Sequence, residues 1–164
     1  MDSELITLHI FGADVSAAAT WRLLAWCRAH GAAEFTVDGI ATGPGPHAIY
    51  TEFDRLADPH KLPPAVRRRL SGPSGGDLVR ATDLWALNDE TETLLRSVFP
   101  GGLFHDAHRA EAWFEDPTVY RAGEVVLGVI THESEGVLRV TPDERLELDR
   151  LGVPYHSTGR WVGY

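Results

Sequence analysis

Eight histidines in 164 residues are the first side chains that could carry chemistry. His105 and His108 stand three residues apart, a spacing that places two imidazoles on one face of a helix, where both can bind one metal ion. The sequence has no His-Glu-x-x-His motif and no cysteine cluster to complete such a site. An ordinary surface helix is therefore the favoured interpretation, and a metal site at His105 and His108 is the alternative.

A second group follows the most apolar run of the chain, where His132 and Glu133 open a polar segment that ends at Gly136. An imidazole can transfer protons while Glu133 or a distant carboxylate holds its tautomer. A Ser-His-acid triad is not expected, because neighbouring side chains of an extended segment point to opposite sides. A solvated hairpin connection is favoured, and a catalytic pair of His132 and Glu133 is the alternative.

The C-terminal segment offers a third group, in which His156 and Arg160 lie among hydroxyl and aromatic residues. Arg160 can bind a carboxylate or phosphate through two parallel hydrogen bonds, so His156 and Arg160 form a candidate binding site for a small-molecule ligand. The favoured interpretation is structural, with Trp161 and Tyr164 anchoring the C-terminus on the sheet.

Other groups are poorer candidates. Cys27, the single cysteine, lies in the apolar stripe of a predicted helix, which is typical of a buried side chain rather than of a nucleophile. Two Gly-rich segments, 42–46 and 71–76, contain proline, which removes N–H donors that a bound phosphate needs. Neither is followed by Lys-Ser/Thr. We expect no disulfide and no bound cofactor.

The elements that must position these residues can be predicted from apolar spacing and capping residues. In the first half, the pattern predicts strands over 4–11 and 34–41, joined by a helix that Asp14 or Ser16 caps and Gly31 ends. A third strand is predicted over 47–53, paired with the second as a hairpin after the turn at 42–46. A short helix is predicted over 63–70.

The second half of the chain has clearer signals for where its elements begin and end. Asn88 is the predicted cap of a helix that ends near 99–102, and Asp106 is the predicted cap of a short helix through 113–114, stopped by Asp116 and Pro117. Strands over 124–131 and 137–140 are predicted to form a hairpin. A final helix is predicted from Thr141, with Gly152 just beyond its end.

Together these elements predict an α+β fold, with a mixed or largely antiparallel sheet of about five strands and helices packed mainly on one face. The length fits a single domain over residues 1–164. The Gly/Pro/Ser-rich residues near 71–77 predict a mobile loop.

Composition excludes several classes of function. The net charge is −9, which argues against binding to nucleic acid through its phosphates. No apolar run is long enough for a membrane span, and the acidic opening is unlike a secretory signal. Arginine makes up 14 of the 15 basic residues, which is typical of GC-rich coding. We expect an acidic, cytoplasmic, bacterial protein.

Two functional hypotheses follow. The first is protein–protein binding, as an inhibitor, immunity-type protein or accessory factor, because residues 83–164 hold 15 of the 24 acidic residues but only 7 of the 15 basic ones. The alternative is a small hydrolase or isomerase that uses histidine and carboxylate groups in acid–base or metal chemistry. An enzyme requires those groups to converge, whereas a binding protein leaves them scattered.

Overall fold

The computed structural model describes residues 5–63, 70–71, 77–78, 83–105 and 111–157. These residues form an α+β fold, as predicted, built on a six-stranded antiparallel sheet. In their order across the sheet, its strands are β1 (Ile6–Phe11), β8 (Glu135–Val140), β7 (Glu124–Ile130), β6 (Ala112–Arg121), β2 (Glu34–Ala41) and β5 (Trp85–Ala86). The helices are α1 (Ala17–Ala29), α2 (Ala48–Ala57), α3 (Asp89–Val98) and α4 (Pro142–Leu151).

The opening strand, helix and strand are confirmed. Ser16 caps α1, since its side-chain oxygen accepts from the Ala19 amide at 3.2 Å. The chain leaves the helix through Gly31, whose φ of +87° is a left-handed conformation that glycine adopts readily.

The strand predicted over 47–53 is wrong, because this segment lies in α2. Phe53 and Ala57 are buried four residues apart, a helical spacing, and Phe53 packs on Trp85 and Phe114. The partner of β2 on this side is instead the two-residue β5.

The helix predicted through 113–114 is also wrong over 112–114, which begin β6 between β2 and β7. Ala112, Trp113 and Phe114 are all buried, as expected for a central strand covered on both faces. Asp116 and Pro117 do not stop an element, since they lie inside this strand. The predicted cap, Asp106, lies outside the described residues.

The other elements of the second half follow their local signals. Asn88 caps α3 by accepting from the amides of Glu90 and Thr91, each at 3.0 Å. Thr141 and Glu144 form a reciprocal capping box at the start of α4, as predicted. The predicted hairpin is β7 paired with β8, from Leu127 opposite Leu138 to Ile130 opposite Glu135.

The core lies where the helices meet the sheet. Buried residues of all four helices share one cluster with buried residues of the strands. Its largest fully buried side chains include Phe35, Phe53, Phe99 and Phe104. Gly136 makes room for Phe104, because a Cβ at this glycine would lie 2.6 Å from the phenylalanine ring.

A second short hairpin pairs β3 (Leu70–Ser71) with β4 (Asp77–Leu78). Most of the helix predicted over 63–70 and the central part of the loop predicted near 71–77 lie outside the described residues. Within the ranges that the structure does describe, every helix is too short or too polar to cross a membrane.

Candidate carboxylate–histidine site

Strand β6 carries an extra residue at Asp116 and Pro117. Thr36 of β2 lies opposite Thr118, whereas Asp38, two residues further on, lies opposite Glu115, three residues back. This is a β-bulge, and Asp116 adopts a left-handed φ of +51° within it. Proline is tolerated in a central strand at such a position, because the bulge already interrupts the ladder of hydrogen bonds.

The bulge is attached to the segment that follows β7. The Asp116 amide donates to the Thr131 hydroxyl, and the Thr131 amide donates to Asp116 Oδ1, both at 2.8 Å. Thr131 is completely buried. It begins the 3-10 turn Thr131–Glu133, so the next residue, His132, is held beside the bulge.

The result is a group of three side chains from two segments, which we call the bulge cluster: Glu115, Asp116 and His132. One nitrogen or oxygen atom from each lies within 4.8 Å of the other two. The carboxylates are half-buried, and the His132 side chain is 60% exposed. Glu115 is oriented by Trp113, whose indole Nε1 donates to Glu115 Oε1 at 2.7 Å.

Each carboxylate therefore has one oxygen held by a fixed N–H donor, from Trp113 or from Thr131. A carboxylate has two oxygens, so the other can accept a proton or bind a cation. Donors that orient ligating carboxylates in this way are a usual part of metal sites.

The electrostatics of Asp116 are unusual for an aspartate. Burial raises its pKa above the ordinary value, and the negative charges of Asp38 and Glu115 act in the same direction. The Thr131 amide and the His132 imidazole oppose this effect without cancelling it. The arrangement favours a proton or a metal ion at this carboxylate, and raised carboxyl pKa values are common at functional sites.

Of the predicted catalytic pair, only His132 belongs to this group. Glu133 is exposed, and its Oε1 lies 3.8 Å from His132 Nε2, beyond hydrogen-bond distance. The connection after β7 is a 3-10 turn, with Ser134 at a left-handed φ of +51°. The extended segment that the sequence predicts here, and from which a Ser-His-acid triad was excluded, is not formed.

The other predicted site residues lie elsewhere. His156 pairs with β1 through two backbone hydrogen bonds to His9 of 2.8 Å, and its side chain lies 3.3 Å from Asp14. Its predicted companion Arg160 lies outside the described residues. His105 Nε2 is 3.4 Å from the Val15 carbonyl, and its predicted metal-binding partner His108 also lies outside them.

Sequence reasoning did not connect Glu115 and Asp116 with His132, because it placed both residues at the end of the helix predicted through 113–114. One signal was present. Asp-Pro interrupts a run of aromatic and β-branched residues that continues on both sides, from Trp113 to Tyr120. Such an interruption is typical of a bulge in a strand.

Comparison of the chain with protein family models, with curated proteins and with solved structures found no match.

Proposed function

We propose that this protein is a small metal-dependent hydrolase whose divalent ion is bound by Glu115, Asp116 and His132. The observation that carries the proposal is the convergence of three ligating atoms, from β6 and from the turn after β7, within 4.8 Å. It develops the histidine–carboxylate alternative of the sequence analysis, with different partners for His132.

The ligand set indicates the class of metal. One imidazole nitrogen and two carboxylate oxygens suit Zn²⁺ or Mn²⁺, which accept mixed nitrogen and oxygen ligands. Three protein ligands would leave a zinc ion with an open coordination position, the feature that separates catalytic zinc sites from closed structural ones. Because His132 is exposed, a substrate can approach the open position from solvent.

The chemistry would then be metal-assisted hydrolysis. When bound, a divalent ion would supply a water of lowered pKa for the hydrolysis of an ester or phosphodiester, with an alcohol as the leaving group. Glu115 and Asp116 would hold the ion together with His132, and the Trp113 and Thr131 donors fix the orientation of the two carboxylates.

The direct test is a thermal unfolding titration of tag-free protein with Zn²⁺ and with Mn²⁺. A bound ion stabilises the fold by about 2.7 kcal/mol at a free concentration of 100 times the Kd. We expect an increase in Tm that Asp116→Asn and His132→Gln abolish. Glu133→Gln is the matched control, because it removes an exposed carboxylate next to His132 but outside the bulge cluster.

Activity is tested with the metal-loaded protein on 4-nitrophenyl acetate and bis(4-nitrophenyl) phosphate. Hydrolysis that depends on the ion and on Asp116 supports the proposal. An unchanged Tm with both ions, or an increase that Asp116→Asn leaves intact, contradicts it.

Protein binding is a second candidate function, and α4 carries the observation that favours it. Leu146 is 60% exposed on this helix, with charged neighbours on both sides in the sequence. An exposed leucine can serve as the apolar centre of an interface with a polar rim. Capture of one protein at several salt concentrations, lost with Leu146→Ser and kept with Leu5→Ser, supports this function. Equal capture by both variants contradicts a role for α4.

A further inference from the structure

A groove of about 430 Å³ lies between α2 and α3, within the size range of small-molecule sites. We call it the α2–α3 groove; its lining residues are Leu56, His60, Glu90, Thr93, Leu94 and Ser97. Leu56 is 41% exposed and Leu94 is buried, so these two side chains give it an apolar surface. The groove shares no residue with the bulge cluster.

One wall of the groove is a hydrogen-bonded chain that ends at Glu90. Asn88 uses its side-chain oxygen to cap α3, so its amide nitrogen is the atom that faces His60 Nδ1, at 3.1 Å. That nitrogen can only donate, so neutral His60 carries its proton on Nε2. His60 Nε2 lies 2.8 Å from Glu90 Oε2 and donates to it.

The two hydroxyls of the groove are acceptors as well. Thr93 donates its proton to the Asp89 carbonyl at 2.9 Å, and Ser97 donates to the Leu94 carbonyl at 2.7 Å. Their oxygen lone pairs are left for a ligand. The polar surface of the groove therefore offers a carboxylate and two hydroxyl acceptors, with the His60 imidazole bonded to that carboxylate.

The arginine and lysine side chains near the groove do not neutralise this surface. Arg55 is bound to Glu52 through two hydrogen bonds, Arg96 to Glu92, and Lys61 to Asp83. Glu90 is 80% exposed, so its second oxygen is accessible. A negative acceptor beside an apolar surface matches a ligand with a positive donor on an apolar body.

We propose that the α2–α3 groove binds a small organic cation, a primary ammonium group carried on an apolar body. The apolar part packs against Leu56 and Leu94, and the ammonium donates to Glu90 and to the Thr93 oxygen, one turn further along α3. The proposal is independent of the metal-dependent function and stands or falls without it.

Three probes of matched shape test it by NMR titration of the ¹⁵N-labelled protein: phenethylamine, phenethyl alcohol and 3-phenylpropionate. We expect phenethylamine to bind with a Kd on the order of 1 mM and to shift amides of α2 and α3. The neutral alcohol should bind about tenfold more weakly, and the anion more weakly still.

Two variants complete the test. Glu90→Gln keeps the shape of an exposed side chain and should weaken phenethylamine binding about tenfold, to the level of the alcohol. Glu124→Gln, which changes an exposed acid at the start of β7, is the matched control and should leave the Kd unchanged. Equal binding of the anion, shifts outside α2 and α3, or an unchanged Kd for Glu90→Gln would each overturn the proposal.

Discussion

Half-buried carboxylates at two places in the molecule, Glu144 of α4 and the bulge cluster of β6, have different charged partners. Where α1 and α4 meet, Glu144 accepts from Arg121 at 2.5 Å and from the Thr141 amide at 2.8 Å. Arg121 also donates to the His30 carbonyl at 3.0 Å. At the bulge cluster, the positive partner of Asp116 is the exposed imidazole of His132, which is charged only when protonated.

The comparison separates a structural ion pair from a site. A guanidinium held in place neutralises Glu144 permanently and joins β6 to α4. At the bulge cluster, the negative charges of Asp38 and Glu115 instead lie close to Asp116 and help to raise its pKa. The first arrangement stabilises the fold, while the second favours the binding of a proton or a metal ion.

The largest expected effect comes from breaking the structural pair. Arg121→Met leaves the Glu144 carboxylate, whose side chain is 13% exposed, without its cation. We expect the free energy of unfolding to fall by about 2–3 kcal/mol in urea denaturation. The control is Arg55→Met, which removes a solvent-exposed pair with Glu52 and should change stability little. Equal losses from the two variants would contradict the distinction.

The next effect comes from detaching the bulge. Thr131→Val removes the acceptor of the Asp116 amide, so the variant should lose about 1–2 kcal/mol of stability by urea denaturation. It should also weaken metal binding at the bulge cluster at least tenfold, because the turn no longer holds His132 in place. Thr36→Val, which removes a buried hydroxyl bonded to Tyr120, is the control that keeps metal binding.

The two carboxylates should also respond to pH in opposite directions. Burial alone would raise the pKa of Glu144, but hydrogen bonds from Arg121 and Thr141 lower it below the ordinary 4.5. Its stabilisation is therefore present above about pH 4.5 and is lost as the pH falls through the lowered value. The pKa of Asp116 is raised above 3.8, so its favourable contribution is present below that pH and is lost as the pH rises.

Urea denaturation of the metal-free protein between about pH 3 and pH 7 tests these signs. The stability deficit of Glu144→Gln relative to wild type should grow as the pH rises. Asp116→Asn should become the more stable protein toward pH 7, by less than about 1 kcal/mol. Parallel pH profiles for the two variants would show that the carboxylates are balanced alike.

The smallest effect is a change in one titration. Glu115→Gln removes a negative charge that helps to raise the pKa of Asp116, so that pKa should fall toward its ordinary value. A ¹³C NMR titration of the Asp116 carboxyl measures the change. Glu133→Gln should leave the pKa of Asp116 unchanged. A larger fall with Glu133→Gln than with Glu115→Gln would show that Glu133, and not Glu115, is the main source of the repulsion.

Much of the fold could be predicted because its signals are local. Ser16, Asn88 and Thr141 cap their helices through neighbours within three residues, so the amino-acid sequence contains both partners. Apolar runs likewise predicted β1, β2, β7 and β8. The strand prediction for the α2 segment failed, because only tertiary contacts, such as the contact of Phe53 with Trp85, decide between a short strand and a short helix.

The bulge cluster could be predicted only in part. His132 was singled out by its place after an apolar strand, but its partners depend on register. Asp116 and Thr131 are 15 residues apart, and they meet because the β6–β7 hairpin folds back across the bulge. Proline normally indicates the end of an element, so Asp-Pro indicated a boundary where the strand continues.

The pairing of His156 with His9 has a consequence for the behaviour of the molecule in concentrated solution. β1 is the first strand of the sheet order, and the outer edge of such a strand can pair with an extended chain that approaches it. The two backbone hydrogen bonds at His9 are satisfied within the same molecule, by the segment that follows α4. This segment therefore occupies the edge of β1 at His9 and prevents another chain from pairing there.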